Sequence, residues 1–182
     1  MIGAEPFADN WCLMVTNALS EKYGSSNVNY INTAVGGTLS DWGLREAKER
    51  AADHNPDIAF IGFGMNCGSA RMEPETYKAN IKGIMAAVRT ARPDCKFVLI
   101  GTTLPNREVR GFFGNQPLYI EMLNQIADEN GRNGVAVADM TSMHAYLLTK
   151  KRFFDMTGNN VNHPNDFLAR AYAQVILRAL EA

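Results

Sequence analysis

Three short polar segments of the sequence contain residue types that hold a developing negative charge and move a proton. They are Gly36-Gly37-Thr38, Gly64-Met65-Asn66 and His163-Pro164-Asn165-Asp166. A backbone N–H after a glycine turn and an asparagine amide are two of the donors that bind an oxyanion, and histidine is the usual general base. Each segment alone is typical of a turn or a helix start. Their combination predicts one site, with Gly37, Asn66 and His163 as its candidate residues.

The hydrophobic pattern places these segments beside predicted strands and helices. Apolar runs bounded by turn residues predict buried strands at 28–35, 58–63, 97–101 and 135–139. Apolar residues at helical spacing predict helices at about 11–23, 74–91, 117–130, 143–150 and 164–180. A further, strongly charged helix opens after Thr38 or Ser40 and ends before Asn55-Pro56-Asp57.

The alternation of strands and helices predicts an α/β protein. We expect a three-layer α/β/α sandwich with a flavodoxin-like parallel sheet, forming a single domain over residues 1–182. Ligands of such sheets bind beyond the carboxyl ends of the strands, which is where the three polar segments lie. One feature is irregular: the first predicted element is a helix, whereas doubly wound domains usually begin with a strand.

Composition excludes several classes of partner. The 182 residues include 18 Lys and Arg against 19 Asp and Glu, a net charge of -1 that gives no global attraction to nucleic acid or anionic membranes. No apolar run reaches the roughly 18 to 20 residues of a membrane span. Cys12, Cys67 and Cys95 form no C-x-x-C pair, so we expect reduced thiols.

Metal and nucleotide sites are weakly indicated at best. His54 and His144 are single imidazoles without partners at ligand spacing, so we predict no metal and no cofactor. The glycine-rich segment 62–68 leaves a nucleotide-binding α/β domain as an alternative. Its last glycine interval is one residue too long for the dinucleotide fingerprint, and no acidic residue ends the next strand.

The three polar segments together resemble three of the four signature motifs of the SGNH hydrolases, the GDSL-type esterases and lipases. The segments are the Gly37 turn, Gly64-Met65-Asn66 and His163-Pro164-Asn165-Asp166. The resemblance covers nearly the whole chain in order and spacing. In that family a serine attacks the acyl carbonyl, and the motif histidine is its base. The resemblance implies that His163 is the general base and that Gly37 and Asn66 are oxyanion donors.

Three departures from the family pattern concern the reacting groups themselves. The first motif, Gly-Asp-Ser, is absent, so the sequence shows no nucleophile. Asn160 stands where the family has an aspartate three residues before the histidine, which leaves Asn160, Asp155 or a backbone carbonyl to orient His163. Cys67 follows Asn66 where aspartate is common.

The missing motif includes a strand as well as a serine. In the strand order 2-1-3-4-5 that strand lies between 28–35 and 58–63, so its loss would leave unpaired backbone groups in the middle of the sheet. We therefore expect that the sequence is N-terminally truncated or begins at a misplaced start codon. Cellular location and oligomeric state are not predicted.

The resemblance implies an ester hydrolase that removes small acyl groups such as acetyl from a carbohydrate or another small ester. The substrate expectation rests on the similarity of segment 158–166 to bacterial acetylesterase-like members. Cys67 is an alternative nucleophile, whereas Ser40 is better explained as a helix cap. A catalytically inactive SGNH-like binding domain is the alternative function, with Tyr146 and the 107–113 loop as candidates to shape its pocket.

Overall fold

The computed structural model describes residues 10–181. Three strands form one sheet: β1 (Ile58–Ile61), β2 (Lys96–Ile100) and β3 (Val135–Ala138). The α-helices are α1 (Trp11–Tyr23), α2 (Ser40–Arg45), α3 (Ala47–Arg50), α4 (Met65–Ser69), α5 (Pro74–Ala91), α6 (Tyr119–Glu129), α7 (Met140–Leu148) and α8 (Asp166–Ala179). No helix in this part of the chain is long and apolar enough to cross a membrane.

The sheet is parallel throughout, in the order β1-β2-β3, and β2 is its buried centre. Successive side chains of a strand point to opposite faces. Phe97 and Leu99 of β2 therefore pack into a core with helices α5 and α6, whereas Val98 and Ile100 pack into a second core with α1 and α8. Helices cover both faces of the sheet, which confirms the predicted α/β/α sandwich.

The strand predicted at 28–35 is wrong. This segment forms no strand, and its apolar residues Ile31 and Val35 are 48% and 42% exposed. A strand needs a backbone partner. Within residues 10–181 this segment pairs with no strand, and the Thr33 hydroxyl donates to the Arg50 carbonyl. Ile58 and Phe60 of β1 are 38% and 36% exposed, and β1 pairs with β2 alone among the described strands.

Local differences from the predicted elements have simple causes. The charged helix predicted after Thr38 is two short helices, α2 and α3, because the backbone leaves helical geometry at Glu46. The glycine-rich segment after β1, predicted as a loop, contains the short helix α4. Helix α1 is as predicted: the Asn10 side chain caps its start, and Gly24, at a φ of 87°, ends it.

Candidate functional site

Asn66 and the Gly37 turn come together beyond the carboxyl end of β1. Gly64 has a φ of 135°, and a Cβ at this position would lie 2.9 Å from Thr102, so only glycine fits the turn that leads into α4. Asn66 is the second residue of α4, and its Nδ2 donates to the Thr38 carbonyl at 3.2 Å. This bond ties the predicted oxyanion amide to the residue that follows Gly37.

Both predicted donors keep an N–H group for a ligand. Gly37 is exposed, has a φ of 80°, and its backbone N–H has no acceptor among the described residues. The Asn66 amide has two hydrogens, of which the Thr38 carbonyl takes one. One N–H from each residue therefore remains to bind an anionic oxygen.

His163 lies on a loop of residues 157–164, which we call the His163 loop. A single bridge pairs Thr157 with Pro164 at its base. Inside it, the Asn159 Oδ1 accepts the backbone N–H groups of Val161, Asn162 and His163, each at 3.0 Å. Three hydrogen bonds to one side-chain oxygen hold the backbone of His163 in place.

The imidazole of His163 is exposed and forms no hydrogen bond with the described residues. Of the predicted orienting groups, Asp155 is engaged elsewhere: its carboxylate accepts from the Arg152 guanidinium at two positions, each 3.1 Å. This hydrogen bonding lowers the pKa of the Asp155 carboxyl. Of the two predicted side chains, Asn160 remains available to orient His163. It has a left-handed conformation with a φ of 55°, and its side chain is exposed.

The structure therefore brings two of the three predicted site residues together. Asn66 contacts the Gly37 turn through Thr38, whereas no hydrogen bond links His163 to either residue within residues 10–181. The His163 loop reaches the same edge of the sheet by another route. Asn106, on the segment after β2, donates its backbone N–H to the Val161 carbonyl at 2.8 Å.

Cys67 and Ser40 are poorly placed to act as nucleophiles, because both are fully buried. The Cys67 sulfur accepts the Ser40 backbone N–H at 3.2 Å, and burial raises the pKa of the Cys67 thiol, which disfavours the reactive thiolate. The prediction that Ser40 caps a helix is wrong. Leu39 is the N-cap of α2, and the Ser40 hydroxyl instead accepts from the Asn80 amide at 3.1 Å.

Gln116 is a residue of the site region that sequence reasoning missed. It is fully buried, and its Nε2 donates to the carbonyls of Met65 and Phe112 at 3.0 and 2.8 Å. Its Oε1 accepts the Gly114 N–H at 2.7 Å. Gln116 therefore fixes the start of α4, where Asn66 lies, to the segment after β2. A polar residue before Pro117 is ordinary at a helix start, so no sequence pattern indicates this role.

Replacing Gln116 by methionine is expected to lower the free energy of unfolding by about 1–3 kcal/mol. The side chain keeps its approximate volume, but the half-buried Gly114 N–H loses its acceptor. Urea unfolding of the wild type and Gln116→Met measures the difference. Gln174→Met, at an exposed position of α8, is the matched control and is expected to change stability by less than about 0.5 kcal/mol. Equal losses in both variants would contradict the assigned role.

No three His, Cys, Asp or Glu side chains converge as metal ligands would in the part of the chain that the structure describes. The candidate site combines hydrogen-bond donors of the Gly37 turn and α4 with an imidazole on the His163 loop. A profile of the GDSL-like Lipase/Acylhydrolase family matches residues 3–171. The chain belongs to this family.

Solved structures of GDSL-like and related hydrolases share this fold. A catalytic mutant of Axe2, an acetylxylan esterase from Geobacillus stearothermophilus, matches with a TM-score of 0.79 at 16% identity over 98% of this chain and 84% of that chain. The α/β hydrolase LAE5, from the metagenome of Lake Arreo in Spain, matches with a TM-score of 0.76 at 16% identity over 94% and 81%.

A two-domain esterase, CEX, active on acetylated mannans, matches with a TM-score of 0.71 at 21% identity over 94% of this chain and 43% of that chain. At these identities the likeness establishes the fold alone. Comparison with curated protein sequences gave no match. The GDSL-like family membership and the shared fold make the chain a member of an ester hydrolase family.

Proposed function

We propose that the protein is a serine ester hydrolase that removes acetyl or similarly small acyl groups from carbohydrate. The observation that carries the proposal is the hydrogen bond between Asn66 Nδ2 and the Thr38 carbonyl, which places a side-chain amide beside the Gly37 turn. These are the two kinds of donor that an oxyanion hole for acyl transfer requires. Family membership supports the class of reaction.

In the proposed mechanism, His163 takes the proton of a serine hydroxyl as the oxygen attacks the acyl carbonyl. The Gly37 N–H and the free N–H of Asn66 stabilise the negative oxygen of the tetrahedral intermediate. His163 then gives its proton to the departing sugar oxygen, which leaves an acylated serine. The imidazole next takes a proton from water, and the resulting attack releases the acid and restores the serine.

The nucleophilic serine of this mechanism is not one of the six serines in the sequence, none of which follows Gly-Asp. We place it at the end of a strand that pairs with the outer edge of β1. Two observations support this position: Phe60 of β1 is 36% exposed, and segment 28–35 pairs with no strand within residues 10–181. A parallel strand at this position would end between the Gly37 turn and Asn66.

Acylated carbohydrate is the substrate class that the similar structures support. Axe2 is an acetylxylan esterase, and the two-domain esterase is active on acetylated mannans. Both have the fold described here, in which the substrate site lies beyond the carboxyl ends of the strands. We extend this substrate class to the present chain as part of the proposal.

The first test is hydrolysis of p-nitrophenyl acetate by the 182-residue chain and by its His163→Ala variant. We expect equal rates, because without the serine the imidazole has no nucleophile to activate. Extension of the chain with an apolar strand that ends in Gly-Asp-Ser is then expected to produce turnover that depends on His163.

His163-dependent turnover by the 182-residue chain would contradict the proposed position of the nucleophile. An extended chain that folds and carries the serine, yet hydrolyses no acetyl ester, would favour the alternative of an inactive binding domain. Circular dichroism and thermal unfolding of each form establish that the variants being compared are folded.

A further inference from the structure

The loop of residues 107–113 is fixed at its first end to the His163 loop. Asn106, 7% exposed, donates its side-chain Nδ2 to the Asn160 carbonyl at 3.0 Å and its backbone N–H to the Val161 carbonyl at 2.8 Å. Its Oδ1 accepts the Glu108 N–H at 3.0 Å, which turns the chain outward into the loop. The start of the loop is therefore held within two residues of the predicted general base.

The second end of the same loop is fixed to the helix that carries Asn66. The Phe112 carbonyl accepts from the Ser69 hydroxyl and from the Gln116 amide, each at 2.8 Å. Ser69 is the last residue of α4, and Gln116 also binds the Met65 carbonyl at its start. The 107–113 loop therefore runs from the His163 loop to the Asn66 helix and borders the space between them.

Three exposed arginines lie on or beside this loop. The Arg107 guanidinium stacks on the Phe113 ring at 4.1 Å, which holds its plane while leaving the N–H edge free. Arg110 lies in the loop, and Arg71 packs against Gly114, the next residue after it. None of the three arginines forms an ion pair with the described residues, although ten other lysines and arginines do.

Unpaired arginines beside a reaction site favour a negatively charged ligand. Glu108 is the only acidic residue in the loop, so the cluster of Arg71, Arg107 and Arg110 has a net positive charge. An arginine fork binds a carboxylate through two parallel hydrogen bonds. The Phe112 side chain, 38% exposed, offers an apolar face against which a sugar ring can pack.

We propose that the 107–113 loop and Arg71 form a subsite for an anionic group on the acylated carbohydrate, with Arg107 as its principal ligand. This inference rests on the proposed function, because it names the substrate class of the same site. The chain would then prefer acetylated sugars that carry a carboxylate, such as uronic acids, over neutral acetylated sugars. The subsite acts in binding and requires no chemical step.

Binding to the 182-residue chain tests the subsite without turnover. Isothermal titration with a uronic acid tetrasaccharide and with a neutral tetrasaccharide is expected to show tighter binding of the charged ligand. Arg107→Gln is expected to weaken uronate binding about tenfold, since a hydrogen bond to a charged group is lost. Lys96→Gln is the control, because Lys96 is an exposed, unpaired cation at the opposite end of β2 and its loss should leave affinity unchanged.

Binding of a sugar phosphate and of the neutral tetrasaccharide shows which results support the subsite and which overturn it. A sugar phosphate that binds as tightly as the uronate, and loses affinity in Arg107→Gln, supports the subsite and identifies phosphate as a second source of the anion. Equal affinity for charged and neutral tetrasaccharides would overturn the proposal, as would equal losses in Arg107→Gln and Lys96→Gln. Because the readout is binding, an extended, serine-bearing chain that binds the uronate but hydrolyses no acetyl ester would refute the proposed hydrolysis and leave this inference standing.

Discussion

Replacing Asn66 by alanine in a form of the protein that carries the proposed serine is expected to lower turnover of p-nitrophenyl acetate by about 100- to 1000-fold. The reason is the loss of one donor to the developing oxyanion, which the Gly37 N–H alone cannot replace. The effect should fall on kcat more than on KM, because the oxyanion exists only in the transition state and intermediate. Steady-state kinetics measures both constants.

The Asn66 variant also loses its hydrogen bond to the Thr38 carbonyl, so its stability is measured alongside. Asn133→Ala is the matched control, since Asn133 is exposed at the amino end of β3, away from the site. We expect wild-type turnover for this control. A folded Asn66→Ala protein with near-normal kcat would remove Asn66 from the mechanism.

His144 gives the second large effect, on the pH dependence of stability. It is fully buried on α7, and its Nδ1 accepts the Leu104 backbone N–H at 3.0 Å. Its Nε2 has no hydrogen-bond partner among the described residues. Burial lowers the pKa of the His144 imidazole to about 4, because a charged ring would lose its hydration and its acceptor role.

The stability of the protein should therefore fall in acid. An unfolded histidine has a pKa near 6.5, so between about pH 6.5 and 4 only the unfolded chain takes up the proton at this position. From pH 7.5 to 5 the free energy of unfolding should decrease by about 2 kcal/mol, and by about 3 kcal/mol once the pH is below 4. Above about pH 6.5, His144 is neutral in both the folded and the unfolded chain, so this loss of stability is absent.

Urea unfolding of the wild type and of His144→Gln at several pH values isolates the contribution of His144 to the pH dependence of the free energy of unfolding. Glutamine offers an oxygen to the Leu104 N–H but does not titrate, so the variant should lose much less stability between pH 7.5 and 5. The carboxyl groups titrate equally in both proteins, so their contributions cancel when the two stability profiles are subtracted. Parallel stability profiles for the two proteins would contradict the assignment.

Strands β2 and β3 could be predicted because their apolar runs are covered on both faces of the sheet. Lys96–Ile100 and Val135–Ala138 are paired and enclosed as expected. Segment 28–35, which mixes apolar residues with Asn29, Asn32 and Thr33, forms no strand among the described residues, because pairing depends on a neighbour that its own residues do not encode. The local hydrophobic pattern predicts a preference for extended structure, whereas a neighbouring strand in the sheet decides whether a β-strand forms.

The candidate site, like the sheet, could be predicted from the sequence only in part. Gly37 and Asn66 follow extended segments at one edge of the sheet, and topology brings such segments together. Gln116 could not be predicted, because its acceptors at Met65 and Phe112 are chosen by tertiary packing. The partner of His163 was likewise ambiguous in the sequence, and the structure narrows it by engaging Asp155 with Arg152.

Among the described strands, β1 is paired on one side only, and its other edge bears on how the chain behaves in concentrated solution. Ile58–Ile61 reads Ile-Ala-Phe-Ile, without the proline or charged residue that commonly blocks edge-to-edge association. Such an apolar edge is a template on which strands of other molecules can add, the first step toward aggregation. A segment that carries the nucleophile on this edge would therefore also keep the enzyme monomeric, so that catalytic competence and colloidal stability would depend on the same few residues.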